Sequence, residues 1–101
     1  LINQLNDKIK QCKGEIYLFG AHVFSQYLLE SGLEKKMIVG ILDNDPKKQG
    51  CRLYGTPFKV FPPSILETKD NPYVILKAGV YNDEIKKDII ENINSKTTFL
   101  L

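Results

Sequence analysis

Tryptophan is absent, and methionine and histidine occur once each, as Met37 and His22. Cysteine occurs twice, as Cys12 and Cys51, with no C-x-x-C arrangement. A structural zinc site needs about four Cys or His ligands, so this inventory assigns no metal site. The simplest reading of the two thiols is that both are reduced, as in a cytoplasmic protein. No apolar run approaches the roughly 20 residues of a membrane span. The opening "LINQLNDKIKQCKG" is polar and charged, unlike a secretory leader. Neither sign of charge dominates: 14 basic against 12 acidic residues leave a formal net charge of +2. The lysines are spread among acids and the aromatics form no stacking motif, so nucleic acid is not an expected partner. G-x-S-x-G, a P-loop and a Cys–His pair at recognisable spacing are missing. No catalytic residue is assigned, and a binding or structural role is the default. The chain opens on Leu1 and its methionine is internal, so the expectation is a piece of a longer protein.

What is present suits one small domain: 101 residues, 43% apolar and 26% charged. Ile2, Leu5, Ile9 and Cys12 recur at helical spacing and predict an amphipathic helix over residues 2 to 12, ended by Gly14. This leading helix or linker, residues 1 to 13, offers an apolar face for docking on an upstream domain. "EIYLFG" is a continuous apolar strand of the kind buried in a parallel sheet. Val23, Phe24, Tyr27 and Leu28 give the next segment a helical apolar face, with Gly32 as its C-cap. "MIVGIL" (Met37 to Leu42) is a second buried strand and runs into "DNDP". In "KKQGCRLYGTPF" a turn is expected, then short extended pieces at Arg52 to Tyr54 and Phe58 to Val60. Pro62 and Pro63 start one helical turn. "YVILKA" is a third buried strand. Asn82 is placed as cap of a helix whose face is Ile85, Ile89 and Ile93. "TTFLL" is a last strand. Buried strands alternating with helices predict a small α/β, Rossmann-like three-layer domain with a mainly parallel sheet of about 4–5 strands.

In such sheets ligands bind beyond the carboxyl ends of the strands. The expected rim is Gly20, Ala21, His22 and Val23 after the first strand, Asp43 and Asn44 after the second, and Gly79 and Tyr81 after "YVILKA". The dinucleotide frame G-x-G-x-x-G falls on Gly20, His22 and Ser25. The second glycine of that frame lets a pyrophosphate approach the backbone; an imidazole there takes the space, so ordinary NAD binding is not expected. The helix after Gly20 has no acid before Glu30, so its positive end is open to a phosphate. Asp43 stands where a Rossmann acid would take a ribose hydroxyl. Alternatively "DNDP" is a polar turn in which Asn44 or Asp45 bonds its own backbone.

Several segments together resemble one family. They are Gly20-Ala21, Asp43, Lys48-Gln49-Gly50, Gly55-Thr56-Pro57, Pro62-Pro63, and Tyr81 to Ile85. In this order they are similar to the C-terminal Rossmann-like domain of bacterial SAM-dependent sugar C-methyltransferases. The likeness covers about residues 14 to 93. The "DNDPKKQG…YGTP" pattern is also similar to the nucleotide-sugar-binding N-terminal domains of sugar acyltransferases, and to segments of nucleotide-sugar epimerases and dehydratases. The resemblance implies a non-catalytic domain that recognises a nucleotide-linked sugar in saccharide biosynthesis. It also implies that SAM binds in a separate upstream domain, with no cofactor held here. Two alternatives stay open: a fragment of an NAD-dependent epimerase or dehydratase, and a ligand-free scaffold or interaction domain.

Overall fold

The computed structural model describes residues 2–77 and 79–100, and of Val23 the backbone alone. Five strands form one sheet: β1 (Ile16–Phe19), β2 (Ile38–Leu42), β3 (Val60–Phe61), β4 (Tyr73–Leu76) and β5 (Thr98–Leu100). Their order is β3-β2-β1-β4-β5, and every pairing is parallel. The helices are α1 (Ile2–Lys10), α2 (Val23–Glu30) and α3 (Asn82–Asn92), with 3-10 turns at Lys35–Met37, Pro63–Thr68 and Gly79–Tyr81.

Strand alternation makes two faces. Ile16 and Leu18 join Leu5, Ile9, Leu28 and Leu29 in one core, so α1 and α2 cover that side. Tyr17 and Phe19 join Leu66 and Ile89 in the other, under the Pro63–Thr68 turn and α3. The chain steps from β1 to β2 in one direction and from β4 to β5 in the opposite direction. Right-handed crossovers must then lie on opposite faces, which accounts for α2 and α3 being on different sides. The result is the expected three-layer Rossmann-like α/β domain.

Several local expectations change. Helix α1 stops at Lys10, short of Cys12, and Leu5 and Ile9 are buried in this domain's own core. Asn6 fixes the helix further: its Nδ2 donates to Gly32 O at 2.8 Å, and its Oδ1 accepts from Glu34 N at 2.9 Å. The apolar face of the leading segment is therefore engaged inside the domain and is not a free docking stripe. Gly14 serves packing rather than helix termination, because a Cβ there would meet Asn71 O at 2.8 Å. Strand β2 is not uniformly buried. The register slips between Ile16↔Ile38 and Tyr17↔Gly40, and the skipped Val39 faces out. Met37 belongs to the preceding 3-10 turn. The piece Arg52 to Tyr54 contributes one antiparallel bridge, Arg52 to Lys59, and the strand itself starts at Val60. Tyr81, not Asn82, occupies the N-cap position of α3, because the Gly79–Tyr81 turn runs directly into the helix. Ser31, not Gly32, is the C-cap of α2; Gly32 follows it as the left-handed residue, with φ of +106°, and Leu33 N donates to Leu28 O across the helix end.

Candidate functional site

Strand β1 ends at Phe19, and its backbone turns at Gly20 with φ of +110°. Only glycine adopts that conformation without steric cost. His22 then folds back over the turn. Its imidazole fills the space a side chain at Gly20 would need, with Cδ2 at 2.8 Å and Cε1 at 3.1 Å from that position. Ser25 is buried, and its hydroxyl donates to Gly20 O. The third glycine position of the dinucleotide frame thus holds a serine that clamps the turn. His22 is the N-cap of α2 and makes no side-chain capping bond. The first turn of α2 contains no acid.

Asp43, just beyond β2, braces this turn. Its Oδ2 accepts from Ala21 N at 2.8 Å, and its Oδ1 accepts from Asp45 N at 2.8 Å. Asp45 Oδ1 in turn accepts from Lys47 N at 3.0 Å. The polar-turn reading of "DNDP" therefore describes the backbone here, with Asn44 exposed. Lys48 bridges the two loops: Nζ donates to Ala21 O at 3.0 Å and lies 4.0 Å from Asp43 Oδ2. Gln49 Nε2 donates to Asp43 O at 2.9 Å.

These bonds fold residues 45–54 over the carboxyl ends of β1 and β2 and wall a cleft of 340 Å³. Ala21, His22, Gln26, Lys47, Lys48, Arg52 and Tyr54 are among the residues lining it. Lys47 and Arg52 are exposed, and among the described residues neither has an ion-pair partner. Among the described residues no acidic side chain lines this cleft, whereas Lys47, Lys48 and Arg52 do, a lining that suits an anion.

The structure thus brings Gly20, Ala21 and His22 together with Asp43, as the strand-end rule requires. Val23 starts α2. Gly79 and Tyr81 lie beyond β4, next to β1 in the sheet, but do not line the cleft. Gly79 has φ of +64° with open space around it, and Tyr81 is exposed. Ala78 lies outside the described residues. Reading along the sequence missed Gln26, Lys47, Arg52 and Tyr54 as site residues. The signal was the three cations of "KKQGCR" directly after an Asp-containing strand end. Among the described residues no cluster of three or more His, Cys, Asp or Glu side chains is arranged for a metal. No described helix is long and apolar enough to cross a membrane.

No curated protein and no solved structure is matched by this chain. A family match does exist and spans residues 1–101, to the family described as the C-methyltransferase C-terminal domain. With the parallel five-stranded sheet and the strand-end cleft in place, the chain belongs to the C-methyltransferase C-terminal domain family.

Proposed function

We propose that this domain is a non-catalytic recognition unit of a larger, bacterial, cytoplasmic methyltransferase acting on nucleotide-linked sugars in saccharide biosynthesis. One observation carries the reading: the positive cleft between the Gly20–His22 turn and Lys47, Lys48 and Arg52. A diphosphate is the part of a nucleotide sugar that such a cleft would hold.

NAD or SAM fits this turn poorly. Either would need open backbone after β1 and a carboxylate free for ribose. The imidazole of His22 covers Gly20, and both oxygens of Asp43 accept backbone N–H groups. In this reading the methyl donor binds elsewhere in the enzyme and the present residues hold no cofactor. The upstream part of the same chain is then the partner that completes the cleft.

Calorimetry at fixed salt tests the proposal. UDP-sugar or dTDP-sugar should bind the chain saturably, and Lys47→Glu with Arg52→Glu should abolish the heat. Absence of binding both to the chain and to the enzyme that carries it would overturn the reading.

A further inference from the structure

A second hollow of 370 Å³ adjoins the positive cleft, lined by Gln26, Tyr27, Glu30, Tyr54 and Gly55. Gln26 and Tyr54 line both, so the two form one groove along α2. Its chemistry changes along its length. One end carries Lys47 and Arg52, the other Tyr27 and the carboxylate Glu30, and Tyr54 stands where the two meet.

Tyr54 is 88% exposed, yet its backbone is firmly held. It sits in a tight turn in which Thr56 N donates to Leu53 O at 3.0 Å, with Gly55 at φ of +77°. Leu53 anchors that turn in the core. Gln26 Nε2 donates to Tyr54 O at 2.7 Å and ties the turn to α2. Across the hollow Tyr27 is 61% exposed, and Phe24 stacks against it with ring centroids 6.2 Å apart. Single exposed aromatics need no explanation. Two on braced backbone, lining the same hollow beside a cationic cleft, form a surface that takes a planar ring.

We infer that Tyr54 is the base-stacking residue of this domain, and that a nucleoside diphosphate lies along α2 with its base on Tyr54, near Tyr27. The inference rests on the nucleotide reading of the cleft and adds a direction to it. The charge gradient sets that direction. Glu30 repels phosphate at the aromatic end, and Lys47 and Arg52 attract it at the other. Stacking tolerates any base, because every base has a π-face.

The test uses the intact chain with two probes, UDP and inorganic pyrophosphate, by calorimetry. UDP is expected to bind more tightly than pyrophosphate. Tyr54→Ala should weaken UDP by on the order of tenfold and leave pyrophosphate unchanged, whereas Tyr54→Phe should keep UDP affinity. A Tyr54→Ala chain that binds UDP as the unmodified chain does overturns the base placement while leaving the phosphate cleft intact. Failure of both probes to bind, to the chain and to the enzyme that carries it alike, removes the nucleotide reading and this inference with it.

Discussion

At residue scale, Gly20 and His22 share one volume. The Gly20 backbone has φ of +110°, and the His22 imidazole lies where a Cβ would go. Gly20→Ala therefore meets two costs: about 1–2 kcal/mol for the left-handed backbone, and displacement of the ring. Adding His22→Ala removes the second cost and not the first. Urea titrations of both single variants and the pair should show a coupling above about 0.5 kcal/mol. Strict additivity would mean that ring and turn do not interact. Tyr17 offers a second test. It is buried, and its hydroxyl lies 3.4 Å from Glu15 Oε1. Burial first, then the Glu15 charge and hydrogen bond, push its pKa up to about 12. The unfolded value is about 10, so the folded chain keeps this proton longer. Its contribution is intact below about pH 10 and is lost as pH rises through about 12, up to roughly 2–3 kcal/mol. Tyr17→Phe should cost under about 1.5 kcal/mol near neutrality and flatten that alkaline loss, read from denaturation midpoints at pH 9 and 11. An equally steep alkaline fall in the variant would exclude Tyr17 as its source.

At the scale of elements, one asparagine joins two connections. Asn94, just after α3, donates from Nδ2 to Leu66 O at 2.8 Å and Lys69 O at 2.9 Å. Its Oδ1 accepts from Lys96 N at 2.9 Å. This couples the end of the Pro63–Thr68 turn to the approach to β5. Asn94→Ala should destabilise the chain by about 1–3 kcal/mol, as a lower urea midpoint with unchanged m-value. An unchanged midpoint would mean that packing alone holds this corner. Nothing in the spacing of Asn94 announces this role, since its partners are carbonyls 28 and 25 residues away. What the sequence does announce is apolar periodicity. Ile16–Phe19 and Tyr73–Leu76 are legible as buried strands because nearly every side chain in them enters a core. Val39 misleads because apolarity does not encode the register slip that turns it outward. The cleft was half legible for a related reason. Gly20 and Asp43 are marked by strand ends, whereas Tyr54 and Arg52 reach the site only through the fold-back of residues 45–54.

At the scale of the molecule, binding and stability are linked. A ligand that binds only the folded chain adds RT ln(1 + [L]/Kd), about 2.7 kcal/mol at a hundredfold excess over Kd. In a 101-residue chain that shifts the melting temperature by on the order of 10 °C or more. UDP at saturation should therefore raise Tm by this amount, and the shift should shrink as salt screens Lys47 and Arg52. Lys47→Glu with Arg52→Glu should remove the shift without lowering the ligand-free Tm by more than a few degrees. Both side chains are exposed and among the described residues form no ion pair, so the fold does not depend on their charge. On the proposed reading, the same pair in the enzyme that carries this domain should raise KM for a nucleotide sugar and leave kcat near its original value, since only uniform binding is lost. A fall in kcat with KM unchanged would place these cations in the chemistry of methyl transfer and contradict a recognition role.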